Sequence, residues 1–529
     1  MLAADVVVVG AGSAGCALAA RLSEDPHLEV ALIEAGDRAR YWWIDVPIGY
    51  FKTVGRPRFD WCFLTEPEAE LAGRRVPWPR GRGLGGTSLI NGMLYLRGHR
   101  ADYDGWAVAG NPGWGWDDVL PLFKRSMHGA RPGDGTGGPL WVSDLPRDEL
   151  SDAFVAAAAA EGIPPTADFN GGENLGAGYF RMTTRGGRRM SSARAYLEPV
   201  LARPNLTVVA NAHAARVVFD GRRATAVEIV RSGVRETVRA RREVVLSAGA
   251  VQSPQLLQLS GVGDPALLGR HGIPVVADLP GVGRNLQDHL QLRPVYRCRG
   301  VETLNDVARS RVRSAREFFK YVLFKRGALN DGVYRAGAFF RAGDGAGWPD
   351  AQIHFGLVSF DRPLEPPHPF PGVTLSACIL RPESRGSVAI GSADPLAAPR
   401  IQAGYLREPA DRDLAVRLVR RMRALAAAAP LARYVESEHV PGGAVWSDGE
   451  ILDWIRRNAV SIFHPVGTCA MGPAGAAEAV VDARLRVHGV EGLRVADASI
   501  MPRIVSGNTN APAIMIAEKA ADLVRADLA

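Results

Sequence analysis

Apolar and polar positions divide the chain into regions of different pattern. DVVVV, Asp5 to Val9, is an unbroken apolar run of the kind a strand covered on both faces shows, and the SAGCALAARL that follows is Ala/Leu-rich as a helix is. VALIE, residues 30–34, is a second run, so the order is strand, turn, helix, strand. Between Leu206 and Leu246 short β-rich runs (LTVVA, ARVVF, ATAVEIV, ETVRA, REVVL) predict a meander closed by a strand, and AVQSPQLLQL predicts a helix after it. From about Leu290 to Phe463 strands (AQIHFGLV, VTLSACIL, GSVAI) mix with an Arg/Ala/Leu helix over Asp411 to Ala429. LRVADASIMP is again a strand, and the text after VSGNTN is an amphipathic helix that Asn510 is placed to cap, with Pro512 in its first turn. ARPGDGTGG, around Arg131 to Gly138, reads as a flexible surface loop.

The turn after the first strand holds Gly10, Gly12 and Gly15 in GxGxxG spacing, with Ser13 and Ala14 between. The first glycine allows a tight turn, the second lets a pyrophosphate approach the backbone, and the third lets helix and strand pack closely. Phosphates then meet the unpaired N–H groups of the helix N-terminus. Glu34, followed by Ala35, closes the second strand about twenty residues on, where a carboxylate can accept both ribose hydroxyls. NAD and FAD both satisfy this first motif.

The choice between them comes from PRGRGLGGTSLINGMLYLRG, Pro79 to Gly98. Its glycines Gly81, Gly83, Gly85 and Gly86 precede Thr87 and Asn91, then Gly92, Met93 and Leu94. Backbone this bare can lie flat against a large planar ring, which points to the isoalloxazine and ribityl chain of FAD. Small residues end the closing strand at Ala248, where an α/β sheet admits a ligand. Val217 in ARVVF, Asp497 and Ala498 after the last strand, and Asn508 and Thr509 before the last helix complete the expected cofactor set. The predicted fold is α/β: a Rossmann-like FAD-binding domain built from both chain ends (1–150, 200–290 and 464–529) and an α+β substrate domain with an antiparallel sheet (151–199 and 291–463).

Composition narrows the function. The 529 residues are 47% hydrophobic and 22% charged, as in an ordinary globular protein. The net charge of +7 comes from scattered arginines such as RGGRR and RARRE, without lysine tracts or aromatic interleaving, so no nucleic-acid partner is predicted. The surplus instead favours an anionic ligand or surface. Five cysteines, far apart and in no CxxC, predict no disulfide framework and no metal site, and reduced thiols in a cytoplasmic protein. Apolar runs fall short of the ~18 residues a membrane span needs. A first strand beginning by about Asp5 leaves no room for a secretory signal, while peripheral contact with the inner membrane stays open.

GAGSAG with Glu34, RGRGLGGTSLINGMLYLRG, AGAVQSPQLLQLSGVG, LPGVGRNLQDH, HPVGTCAMG and VADASIMPRIVSGNTNAPAIMIAEKAAD together resemble the glucose-methanol-choline oxidoreductases, FAD enzymes that oxidise alcohols. The likeness spans nearly the whole chain and is nearest to the choline dehydrogenase and bacterial alcohol dehydrogenase branch. It implies that His464, in HPVGT, takes the hydroxyl proton while hydride leaves the alcohol carbon for flavin N5, and that Asn508 holds the alkoxide oxygen. A histidine suits the task because its ordinary pKa near ~6.5 leaves it neutral and basic at working pH. It also implies a quinone, redox carrier or O2 as electron acceptor.

Departures refine the resemblance. Members that bind FAD covalently do so through a histidine in the second glycine segment, and no histidine lies between Gly83 and Gly98, so dissociable FAD is expected. Choline-specific members hold trimethylammonium with an acid and aromatics. Val333 to Phe339 has no acid and contains Arg335, which counts against choline. Fatty-acid photodecarboxylases are similar here too, but carry a cysteine and an arginine where Tyr334 and His354 stand, and lack the HPxGT histidine. His289, in the RNLQDH loop, reads as a decoy, and His354 as a decoy that can line the pocket. Trp61, Phe63, Trp78 and Phe463 are aromatic candidates for the substrate pocket, with Tyr334 beside them.

Overall fold

Two sheets carry the computed structural model, which describes residues 2–343, 347–362 and 365–529. The first has seven strands in the order Leu206–Val209, Val30–Ile33, Leu2–Val9, Val234–Leu246, Arg223–Arg231, His213–Asp220, with Leu493–Val495 also paired to Val234–Leu246. The pairings that join Leu2–Val9 to Val30–Ile33 and Val234–Leu246 are parallel, as are those of the two strands Leu206–Val209 and Leu493–Val495. Parallel strands are covered on both faces, and Val6 to Val9 are accordingly buried.

Val234–Leu246 is one continuous strand of 13 residues where two runs, ETVRA and REVVL, were expected. Exposed Arg239 and Arg241 alternate with buried Val238 and Ala240, so the arginines that interrupt the apolar text are the solvent side of a half-buried strand. Its first half pairs antiparallel with Arg223–Arg231, and its last residues pair parallel with Leu493–Val495.

Helix Ser13–Leu22 packs on helix Asn510–Leu528, so the two ends of the chain close one body. Between them the Glu518 carboxylate, wholly buried, accepts from Arg21 Nε at 3.0 Å, Arg125 Nε at 2.7 Å and the Tyr196 hydroxyl at 2.7 Å. Thr509, not Asn510, stands at the N-cap of the last helix. Asn510 is its first residue, and its Oδ1 accepts from Ser13 Oγ at 2.7 Å, so the expected cap is a link between the two helices instead.

The second sheet has eight strands, all antiparallel, in the order Val435–Val440, Val295–Cys298, Gly372–Ile379, Ala351–Gly356, Tyr334–Phe340, Gly176–Tyr179; Leu290–Leu292 joins Gly372–Ile379 to Val460–Ser461. Helix Pro409–Ala427 covers Gly372–Ile379 with Ala415, Leu418, Val419, Met422 and Leu425. The segment expected as a flexible loop is tied down, because Asp134 takes both Nη groups of buried Arg181 at 2.7 Å. All five cysteines are free thiols. No helix among the described residues is long and apolar enough to cross a membrane.

Removing one side of a buried ion pair costs up to about 3–5 kcal/mol when the other charge is left unpaired, and less here because Arg21 keeps Glu24 at 2.8 Å and Arg125 keeps Asp522 at 3.0 Å. Glu518→Ala is therefore expected to lower the urea midpoint of the protein clearly, and an unchanged midpoint would show that the two chain ends are held together without this carboxylate.

Candidate active site

Residues from both sheets line a cavity of ≈ 970 Å³. At one end stand Gly10, Gly12, Ser13 and Ala14, at the N-terminus of helix Ser13–Leu22. A Cβ on Gly10, whose φ is +97°, would lie 2.6 Å from the Ser247 carbonyl oxygen, and one on Gly86 would lie 2.6 Å from Gly12 Cα. The two glycine segments thus meet backbone to backbone. Gly15 is not on the cavity wall; a Cβ there would stand 1.8 Å from the Gly10 carbonyl oxygen, so it serves the packing of helix on strand.

Glu34 lines the cavity but is already engaged: Oε2 accepts from the Ala11 N–H at 2.9 Å, and Oε1 from those of Gly36 at 2.8 Å and Gly83 at 3.0 Å. Three of the ~4 acceptor positions of a carboxylate are thus taken by backbone N–H groups, so Glu34 staples three loops together where it faces the cavity. Gly83 acts through that staple and is off the wall. Val217 is also off it: it is buried, and its N–H donates to Ser260 Oγ at 2.8 Å. Ala212, just before the same strand, and His213 and Ala214 at its start take that place.

The wall continues through Ala35, Thr87, Asn91, Gly92, Met93 and Leu94, then Ala248, Asp497 and Ala498. A Cβ on Gly92 would meet nothing within 4 Å. Asn508 and Thr509 present the N-terminus of helix Asn510–Leu528, where free N–H groups and the helix dipole favour negative charge. A glycine cradle at one helix N-terminus, bare backbone beside open space, and a second helix N-terminus fit an extended dinucleotide with a planar ring.

At the other end stands a hydrogen-bonded chain of histidines. His289 Nε2 lies 3.0 Å from the Leu380 carbonyl, and His289 Nδ1 lies 3.0 Å from His464 Nδ1. A carbonyl only accepts, so His289 Nε2 carries the proton and Nδ1 a lone pair, and His464 Nδ1–H must donate to it. His464 Nε2 is left as a lone pair, 3.2 Å from Asn508 Nδ2, which donates to it. Burial pushes His289 down to about 3, and holds His464 well below the ordinary imidazole range, with His289, His354 and Arg80 adding to the effect. Both rings are neutral bases.

The backbone of His464 is held as firmly. Its N–H donates to Asp288 Oδ1 at 2.7 Å, and Asp288 Oδ2 accepts from Ser461 Oγ at 2.5 Å and from the Tyr405 hydroxyl. Phe463, on the cavity wall, has φ +70°, a left-handed conformation costing about 1–3 kcal/mol. Ser461 Oγ accepts its N–H at 2.7 Å, and Arg80 Nη2 donates to its carbonyl at 2.7 Å.

Gln352 and His354 lie two apart on strand Ala351–Gly356 and so face one way. Gln352 Nε2 donates to His354 Nε2 at 3.0 Å and to Asn508 Oδ1 at 3.4 Å, which orients the Asn508 amide toward His464. Burial brings His354 down to about 4. His354 and Tyr334 both line the cavity, 5.7 Å apart between ring centres.

Trp61 is on the wall elsewhere, stacked on Phe63 and edge-on to His213. Trp78 is core, donating from Nε1 to Tyr405. Arg335, the argument against choline, is not on the wall; it pairs with Asp331 at 3.3 Å and Asp148 at 3.5 Å, so that argument falls.

Sequence reading missed Asp288, Gln352 and Arg80, and took His289 for a decoy. The signals were present: Asp288 and His289 end RNLQDH, Arg80 sits in the second glycine segment, and Gln352 shares a strand face with His354.

Family models described as GMC oxidoreductase match residues 4–291 and 382–517. The chain belongs to the GMC oxidoreductases, which are FAD-binding oxidoreductases. It is 42% identical to an alcohol dehydrogenase [acceptor] of Pseudomonas putida, over 98% of this chain and 95% of that one. It is 43% identical to an oxygen-dependent choline dehydrogenase of Brucella anthropi over the same shares. Among solved structures, pyridoxine 4-oxidase from Mesorbium loti superposes with a TM-score of 0.89 at 35% identity, covering 99% of both chains.

A histidine neutral in the fold and protonated when unfolded makes stability fall as pH drops below ~6.5, by about 1.4 kcal/mol per pH unit, until the folded-state value is reached. His289→Gln keeps an acceptor for His464 and a donor for Leu380 but cannot titrate. Its urea-unfolding free energy is expected to fall less steeply than wild type between pH 6 and 4, by about that amount per unit; equal slopes would mean that His289 is not held neutral.

Proposed function

We propose that the protein oxidises a primary alcohol to its aldehyde, with His464 as the base and Asn508 as the group that holds the alcohol oxygen. The observation that carries this is the run Leu380–His289–His464, which leaves a lone pair on His464 Nε2 beside the Asn508 amide. A hydroxyl entering between the two side chains donates to Nε2 and accepts from Asn508 Nδ2. Proton transfer to Nε2 leaves an alkoxide on Asn508, and that alkoxide is the counter-charge a buried imidazolium needs. His289 keeps Nδ1–H engaged throughout and acts as a positioning residue.

Gly10, Gly12, Ser13 and Ala14 would hold the pyrophosphate of FAD, Thr87 to Leu94 would lie along its ring, and Asp497 to Thr509 would meet it from the far side. FAD, when bound, accepts the hydride from the alcohol carbon. Dissociable FAD is favoured because the histidine nearest the glycine segment, His99, caps helix Arg100–Val108 by accepting from the Ala101 N–H at 3.1 Å and lies off the cavity wall. Acid precipitation should therefore leave the yellow colour in the supernatant; colour retained in the pellet would mean a covalent bond. A quinone, a redox carrier or O2 then takes the electrons, in a cytoplasmic protein built of a cofactor body on the first sheet and a substrate body on the second.

Choline is the second reading, favoured by the 43% identity to the Brucella anthropi choline dehydrogenase. Anaerobic flavin reduction by a panel of alcohols that includes choline separates the two. With the best substrate, His464→Ala should slow flavin reduction by about 10²–10⁴-fold at full FAD content, the worth of a positioned base. His289→Ala should slow it ~10-fold or more by releasing the tautomer, and His289→Gln should recover most of that. Undiminished reduction in His464→Ala would end the base assignment.

A further inference from the structure

The cavity wall leads from Asn508 through His354 and Tyr334 to a cation without an anion. Arg293 follows strand Leu290–Leu292 and lines the cavity. Its Nε and Nη2 are closed off from solvent and have no hydrogen-bond partner among the described residues. By elimination Nη1 is the nitrogen that opens on the cavity. The guanidinium lies over the Phe360 ring, 4.3 Å from its centre. Burial pulls Arg293 below the usual guanidinium range, and the neighbours whose charge bears on it are Tyr334 and Tyr50, with no carboxylate among them.

Tyr50 and Tyr334 are themselves on the cavity wall, and among the described residues neither hydroxyl has a protein hydrogen bond. Of the acids on this part of the wall, Glu365 is exposed to solvent and is not among the charges that bear on Arg293, and Asp60 and Asp361 are committed elsewhere. Asp60 accepts from the N–H groups of Gly55, Cys62 and Arg80, and Asp361 accepts from His368. Three unused donors, one of them charged, therefore belong to one stretch of wall, where Tyr50, Phe51 and Tyr334 pack with Phe360 and Arg293 lies over the Phe360 ring. A guanidinium has no acceptor, and a buried cation is costly without a partner. The group this stretch recognises must bring acceptor atoms and one negative charge.

We propose that Arg293, Tyr50 and Tyr334 form a carboxylate-binding subsite of the alcohol pocket, so that the preferred substrate is a primary alcohol carrying a carboxylate at its far end. The inference rests on the reading of His464 and Asn508 as the end where the alcohol reacts. The carboxylate takes no part in the chemistry: the hydroxyl proton and the hydride leave the alcohol carbon end as before, and the single charge is held by Arg293. A single guanidinium with two phenols matches a carboxylate monoanion better than a dianion. A quaternary ammonium in the same place would face Arg293, so the subsite disfavours choline on an electrostatic ground that Arg335 does not provide.

The test separates binding from turnover. The holoenzyme is titrated with hexanoate and with 1-hexanol, following the perturbation of the flavin absorbance, so that recognition is read without reaction. Hexanoate is expected to bind ~10-fold or more tightly than 1-hexanol, the worth of one charge-assisted contact. Arg293→Met should abolish that preference, and Arg293→Lys should restore part of it. Equal binding of the two probes in wild type, or an undiminished preference in Arg293→Met, overturns the subsite. Should Arg293→Met fail to hold FAD, the Tyr50→Phe/Tyr334→Phe double variant serves instead, and an unchanged preference there overturns the proposal equally. Anaerobic reduction by 6-hydroxyhexanoate, with a lower KM than 1-hexanol, completes the support. A hexanoate preference with no reduction by the hydroxy acid would keep the subsite and remove alcohol oxidation; efficient reduction by 1-hexanol with no hexanoate preference would do the reverse.

Discussion

Strand Val234–Leu246 imposes the constraint from which the rest of the site follows. Its last residues need a partner on each side, and those partners are Leu2–Val9 and Leu493–Val495, from opposite ends of the chain. Closing the sheet this way sets the turn at Gly10 beside the turn at Asp497, and it brings helix Asn510–Leu528 down on helix Ser13–Leu22. Two helix N-termini then point at one cavity. The buried Glu518 carboxylate, shared by Arg21, Arg125 and Tyr196, holds that closure.

The reactive end depends on a second, smaller constraint, the direction of a backbone carbonyl. Leu380 follows strand Gly372–Ile379 of the other sheet, and its oxygen decides which nitrogen of His289 is protonated and hence which nitrogen of His464 is basic. Asp288 and the left-handed Phe463 serve the same end from the backbone side, because the strain at Phe463 is held by Arg80 and Ser461. The residues that aim the proposed base thus come from the second sheet, the loop before Leu290–Leu292 and the second glycine segment, while His464 itself stands where the chain passes from the second sheet to the first.

Local spacing explains what was legible. GxGxxG, the second glycine segment and HPVGT each act over a few residues, so their text reports their geometry directly, and Gly10, Gly12, Asn91, His464 and Asn508 all stand on the cavity wall. Errors arose where a role depends on who arrives from elsewhere. Glu34 was read for a ribose alone, and Gly83, 49 residues later, also binds it. Arg335 was placed in the pocket, yet the pleat turns it toward Asp331 and Asp148. Asn510 was read as a cap, and Ser13 reached it from 497 residues away.

By itself the sequence determined the class of fold and the dinucleotide motif, because periodicity and glycine spacing are properties of neighbouring residues, while the resemblance of HPVGT to a family pointed to His464 as the proposed base. Tertiary structure alone decided the protonation state of that base and the character of the pocket opposite it. His289 and His464 are 175 residues apart, and among the described residues the charges that bear on Arg293 are those of Tyr334 and Tyr50, not of a carboxylate. A hydrogen bond, a burial penalty and a missing counter-charge depend on distances across the fold, and those distances exist only once the two sheets have packed.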